Sequence, residues 1–437
     1  MPSVMNRCAV LVVLLCTAGA SVRAQTARAE STWMDHDRAA RDARNRGDWR
    51  SSREHLLRMD ELLHGHPQVA LAVARASTRL GDTATAIATL GRLARMGLSL
   101  DLAADTMLTP LQQREDFKSL AAAFRRNIEP IGTATVVATM PLKDFVAEGV
   151  AYDAARGRLL VSSIRHSKVV AVKPNAEVQD FIDLTRDGGW SALGLAVDSA
   201  RNRLWVSTEW MPHAVRRSAS DSGRAAIHRY DLRDGRLTGR WELPAGRPHE
   251  PGDIAVSTNG DLFVSDGRAG MLFVIREGRD SLATLVAPGI LFSPQGIAPD
   301  RDGRRLFVAD YARGIAIVDA ALGTVSWLAH PPDVAVNGID GMVLHGGRLI
   351  GVQNGVAPDR VVALVLDADR SAIVAAEILA RDTLSIREPT HLTAMGPDVV
   401  FIANGGFDAY EENGRLRADG KLEAPRIALL RLVKSRP

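Results

Sequence analysis

Six times between residues 148 and 404 the chain repeats one phrase: a two-residue entry step that holds a glycine in five of the six, an apolar run, a turn mostly of Asp, Gly, Asn or Arg, and a second apolar run. It reads EGVAYDAARGRLLVSS from Glu148, LGLAVDSARNRLWVST from Leu193, GDIAVSTNGDLFVSD from Gly252 and QGIAPDRDGRRLFVAD from Gln295. It returns as DGMVLHGGRLIGVQN from Asp340 and, more worn, as PTHLTAMGPDVVFIAN from Pro389. The anchoring positions Gly149, Gly194, Asp253, Gly296, Gly341 and His391 lie 45, 59, 43, 45 and 50 residues apart. Apolar runs this short, divided by Asp/Gly turns, form strands of an antiparallel meander rather than helices. A period of about 40 to 50 residues with about four strands per unit predicts a β-propeller, here with six blades over residues 131–437.

The first five copies continue into a third and a fourth run, whereas the sixth has its third run at Arg426 to Leu432 and the chain then stops. The segment Thr133 to Leu142 has no blade of its own and is expected to supply the missing outer strand, closing the ring and removing two sheet edges. The first strand of each blade lines the central channel. Its entry loops share a face with the loops between second and third strands, so two polar rings should meet at one mouth. The entry ring is Glu148, Leu193, Gly252 with Asp253, Gln295, Asp340 and Thr390 with His391; the second is Ser163, Thr208, Asp266, Asp310, Asn354 and Asn404. Two insertions, 209–225 with Trp210 and His213 and 405–425 with Phe407 and Tyr410, are placed to roof that mouth as specificity loops. Taken singly, an Asp-Gly or Glu-Gly pair is ordinary turn chemistry, and Asp266 and Asp310 read as turn residues.

Ahead of the propeller, residues 25–130 change texture, with Ala, Arg and Leu recurring at helical spacing. Gly47-Asp48 is followed 34 residues later by Gly81-Asp82, each pair set between two helical stretches. That interval predicts tetratricopeptide-like helix pairs, which would offer a groove to a protein partner or pack as a layer against the propeller. Residues 1–24 combine Arg7, an apolar stretch from Cys8 to Leu15 and the small-x-small site Val22-Arg23-Ala24. This predicts a signal peptide cleaved after Ala24 and an exported protein, periplasmic or extracellular. Leu15 is too bulky for lipid attachment at Cys16. The two cysteines both lie in that segment, so the mature chain has neither disulfides nor thiolate chemistry. Cleavage removes Arg7 and Arg23 from 54 basic residues, leaving 52 against 51 acidic ones, and this balance argues against nucleic-acid binding. No later apolar run is long enough to span a membrane.

With Glu148-Gly149 opening the first blade, Gln295-Gly296 the fourth and Asp340-Gly341 the fifth, the chain from Thr133 onward resembles the senescence-marker-protein, gluconolactonase and regucalcin family of six-bladed propellers. Strictosidine-synthase-like and paraoxonase-like proteins are its cousins. The resemblance implies one divalent metal at the channel mouth, held by a Glu-Gly, a middle-blade Asn, an Asn-Gly and an Asp-Gly, with the Asp also serving as base. Carried over, the metal set is Glu148, Asp253 (one position out of register), Gln295 (where Asn is expected) and Asp340, with Asp340 catalytic. Oxygen donors of this kind suit calcium best, with magnesium, manganese or zinc as alternatives. His213, His249, Asn354, His391 and Asn404 are the candidate substrate-binding residues around the mouth. Two functions remain open: a metal-dependent hydrolase of a small lactone or ester, and a propeller that binds a ligand without turning it over. The chain has no nucleophile elbow, phosphate loop, dinucleotide fingerprint or zincin helix.

Overall fold

The computed structural model describes residues 32–382 and 385–432, so the expected signal peptide lies outside the described residues. Six four-stranded antiparallel sheets form the blades of a propeller. Their first strands, Ala147–Asp153, Ser191–Asp198, Ile254–Val256, Pro294–Pro299, Ile339–His345 and Leu392–Met395, pack against one another in a closed ring around the axis. The expected closure is present. Ala134–Thr139 pairs antiparallel with Arg426–Leu430, Ala134 facing Leu430 and Thr139 facing Arg426, and completes the sixth blade from the other end of the chain.

The core lies between blades rather than inside any one of them. Phe307, Leu349 and Leu364 pack between blades four and five, and Trp205, Leu262 and Phe273 between blades two and three. Each such side chain contributes about 1.5–3 kcal/mol by leaving water, so no blade is stable without its neighbours.

Two details of the repeated phrase shape the mouth. Blades one, two, four and five carry a β-bulge at the entry to the first strand, at Ala147/Val150, Ala192/Leu195, Pro294/Ile297 and Ile339/Met342. A bulge re-aims the residues within it, and those are Glu148, Leu193, Gln295 and Asp340. The glycine after each of them lets neighbouring first strands approach: a Cβ on Gly341 would sit 2.8 Å from His391 Cα, and one on Gly194 would sit 2.7 Å from the Gly252 carbonyl. A serine of the second strand fixes several entries, Ser162 Oγ accepting from Gly149 N at 2.7 Å and Ser207 Oγ from Gly194 N at 2.9 Å.

The helical segment forms two pairs, α1 (Trp33–Asn45) with α2 (Trp49–Leu62) and α3 (Pro67–Arg79) with α4 (Thr83–Arg95), followed by α5 (Glu115–Arg126). Gly47 and Gly81 take φ of +78° and +76° in the turns, and Asp48 and Asp82 cap the second helix of each pair. The layer rests on mouth-face loops of blades four and five. Asn337 Nδ2 donates to the Leu63 and Ala312 carbonyls at 3.3 and 2.7 Å, and buried Arg360 donates to the Met96 carbonyl at 2.8 Å. A groove of about 570 Å³ runs along α1 and α3, with Trp33, Arg44 and Trp49 in its wall. No helix among the described residues is long and apolar enough to cross a membrane.

Candidate functional site

All six positions of the expected entry ring, Glu148, Leu193, Gly252, Gln295, Asp340 and Thr390, face one cavity of about 340 Å³ at the channel mouth. Of the second ring only Asn354 reaches it. The others are bonded elsewhere, Thr208 to the Ala226 carbonyl of the neighbouring strand at 3.2 Å. Asp310 accepts backbone N–H bonds from Phe292, Ala312 and Arg313 at 2.6, 3.1 and 3.0 Å, and Asn404 spans the Arg426 N–H and the Ala424 carbonyl at 2.8 and 3.3 Å. Asn404 therefore shapes the sixth blade instead of touching a ligand in this cavity.

The polar wall is a relay. Asn354 Nδ2 donates to Asp340 Oδ2 at 2.8 Å and to the Pro389 carbonyl at 3.0 Å, while Tyr311 donates to Asn354 Oδ1 at 2.9 Å. Glu148 Oε2 is shut off from solvent and has no hydrogen-bond partner. Burial pushes the Glu148 carboxyl well above the carboxylate range, and the charges of Asp340, Glu250 and Glu388 push the same way. Burial likewise raises Asp340, to about 7, against the opposing Asn354 hydrogen bond and His391 charge. A carboxyl poised near neutrality is suited to taking or giving a proton.

Below the cavity the two remaining entry residues find each other. His391 Nε2 lies 2.6 Å from Asp253 Oδ1, and these residues enter blades six and three, opposite one another in the ring of first strands. The pair crosses the channel as a bar. Asp253 also accepts from Ile254 N at 2.7 Å and from Ile297 N of the next blade at 2.9 Å, so both of its oxygens are engaged. Burial opposes protonation of His391, but the Asp253 carboxylate outweighs it and the imidazole is shifted upward. His249 is also committed elsewhere, its Nδ1 bonded to Asp266 and its Nε2 to the Pro244 carbonyl at 2.7 Å. His213 is buried in the roof, its ring edge-on to Phe407 and Tyr410 at 5.8 and 6.2 Å.

Two further carboxylates of the cavity stand outside the repeated phrase and are not among the residues expected from sequence. Glu250 and Glu388 both line it, Glu388 in a left-handed backbone conformation at φ +50° and raised to about 7 by burial. Glu388 Oε2 accepts from Asp408 N at 3.1 Å, tying the cavity to the second insertion, and Glu250 is paired from outside by Arg268 at 3.1 Å. A signal for them exists in the chain: Glu250-Pro251-Gly252-Asp253 and Glu388-Pro389-Thr390-His391 repeat a Glu-Pro step ahead of the two halves of the bar.

The carboxylate and amide oxygens fit a hard cation only as a small set. Glu148 with its unpartnered oxygen, Asp340, and the Gln295 and Asn354 side chains face the cavity, while Asp253 is engaged. Among the described residues no three His, Asp or Glu side chains come together as a metal-holding group.

No family model and no curated protein matches the chain. Several solved propellers resemble it. The PQQ-bound aldose sugar dehydrogenase of Streptomyces coelicolor is 17% identical with a TM-score of 0.46, covering 69% of this chain and 99% of its own. A gluconolactonase from Xanthomonas campestris is 18% identical with a TM-score of 0.45 over the same shares, 69% and 99%. The calcium-binding protein regucalcin of Agrobacterium tumefaciens is 15% identical with a TM-score of 0.46, covering 70% of this chain and 98% of its own. Each is under one-fifth identical, a likeness that assigns no residue of this chain a role.

Proposed function

We propose that the mouth cavity is the active site of a metal-dependent hydrolase that opens a small lactone or ester. The observation that supports it is the meeting of Glu148, its Oε2 buried without a partner, and Asp340, oriented by Asn354 and Tyr311, in one closed-ended cavity. Glu148 and Asp340 would hold the cation, with the amide oxygen of Gln295 as a further hard donor; calcium suits such oxygen donors best. When bound, the cation polarises the substrate carbonyl. Asp340 takes the proton of the attacking water, whose oxygen adds to the carbonyl carbon; the C–O ester bond breaks and the leaving oxygen is protonated, giving a hydroxy acid from a lactone. Asn354 and Tyr311 keep the base in line with that water.

A second reading, a propeller that binds a ligand without turnover, draws support from the engagement of Asp253. Calorimetric titration of calcium, magnesium, manganese and zinc into chelator-treated protein separates the two. The hydrolase reading expects one-site binding that Glu148→Gln weakens tenfold or more; binding of none of the four ions replaces it with the second reading.

Export is part of the same proposal, supported by Arg7, the apolar stretch 8–15 and the site at Ala24. The expected mature chain begins at Gln25 by intact-mass measurement. An uncleaved chain in the cytosol contradicts this.

A further inference from the structure

The relay of Asp340, Asn354 and Tyr311 stands on blades four and five. Four large apolar side chains also line the cavity, Ile164 and Leu193 of blades one and two and Met211 and Phe407, one from each insertion. The two insertions meet. Val146, Ile164, Ala409 and Tyr410 form a buried cluster against which Met211 and Phe407 pack. Arg165 ties the assembly together: its Nε lies 3.1 Å from Asp144 Oδ2, its Nη1 donates to the His213 carbonyl at 3.0 Å, and its guanidinium lies over the Tyr410 ring at 5.0 Å. Met211 and Phe407 are thus held in place before any ligand arrives, which lowers the ordering cost of binding.

The ionisable groups of the cavity are all acidic. Four carboxyl groups, Glu148, Glu250, Asp340 and Glu388, face it, and none of its lining residues is Lys, Arg or His. Apart from the cation, which the substrate carbonyl would occupy, a phosphate or carboxylate elsewhere on the substrate would find no Lys, Arg or His side chain to pair with, while hydroxyls of a polyhydroxylated ring set against Ile164, Leu193, Met211 and Phe407 would be left unpartnered.

We infer that the substrate is an uncharged lactone or ester bearing an apolar substituent, which packs under the roof against Met211 and Phe407 while its carbonyl faces Asp340. This rests on the hydrolase reading for the reaction but not for the selectivity, since the same wall would choose a ligand that is only bound. At about 340 Å³ the cavity is near the lower end of small-molecule sites, commonly about 300–1,000 Å³, so the substituent is short.

The test is kcat/KM of the full mature chain on three probes: γ-heptalactone, glucono-1,5-lactone and its 6-phosphate. The alkyl lactone is expected to be favoured over gluconolactone by about tenfold or more, in line with the worth of a few methylenes in an apolar pocket, and the phosphate to be rejected. Met211→Gln with Phe407→Gln should cut the alkyl-to-sugar ratio at least tenfold. Arg165→Gln, which leaves the wall side chains intact and loosens their support, should cut it less. Preference for gluconolactone or its phosphate, or a ratio unmoved in a double variant that melts cooperatively, overturns the inference. If no probe is hydrolysed, calorimetric binding of the same three decides: alkyl-lactone binding lost in the double variant upholds the selectivity while the hydrolase reading falls, and no binding of any probe overturns both.

Discussion

Replacing Asp340 by asparagine tests whether the mouth carboxylates are held against their preference in the absence of a cation. Burial raises the Asp340 carboxyl from 3.8 to about 7. The folded chain therefore binds its proton more tightly than the unfolded chain. Stability from this group is fully present below about pH 4 and is lost as pH rises through about 7. Keeping the buried carboxylate ionised at pH 8 thus costs the folded chain roughly 4 kcal/mol, an upper bound because the cluster can relax and admit water. An asparagine carries no charge to bury, and its side-chain oxygen can still accept from Asn354, whose bond to Asp340 measures 2.8 Å. Urea unfolding in chelator should thus find Asp340→Asn more stable than the parent at pH 8, by about 1–4 kcal/mol, with the difference falling below about 1 kcal/mol at pH 4. Saturating calcium should reverse the order at pH 8, because the parent gains more binding free energy in the folded state than the variant does. A variant less stable than the parent at pH 8 in chelator would refute the reasoning, since it would mean that the carboxylate is stabilising without a cation.

Two further outcomes follow from the ring itself. Deleting residues 134–139 exposes both the edge of Arg426–Leu430 and the Ala138 side of the core between blades six and one, so cooperative unfolding of the propeller should be lost; a deletion variant that melts like the parent contradicts strand exchange as the closure. Replacing His391 by alanine leaves Asp253 buried without its partner across the channel, and chemical denaturation should register a loss of about 3–5 kcal/mol. A loss below about 1 kcal/mol would show that the bar carries little of the ring's stability.

The architecture was legible because a propeller repeats its instructions. The period, the turn residues and the missing last strand are local patterns, and each maps onto a local element. The entry ring was legible for the same reason, and each of the six blades brings an entry residue to the cavity. What a polar residue does once it arrives depends on neighbours far along the chain. Asp253 and His391 are 138 residues apart, and nothing near either one announces that they neutralise each other across the axis. His249 and Asn404 look like mouth residues by position, yet adjacent backbone and Asp266 claim their hydrogen-bonding atoms first. Glu250 and Glu388 are hidden for the opposite reason: each precedes the phrase by a proline step and so falls outside the repeat. The glycine after the entry residue in blades one, two, four and five has a cause that turn chemistry does not supply, because its missing Cβ is space occupied by the next blade.

The central claim, that Asp340 takes the proton of the water attacking a lactone carbonyl in the mouth, is tested most directly by steady-state hydrolysis with saturating calcium present, comparing the parent with Asp340→Asn. The account predicts turnover by the parent and a loss of kcat of about 100-fold or more in the variant with KM changed far less, as expected for a base acting in the transition state. A variant that keeps the parent's kcat would contradict it.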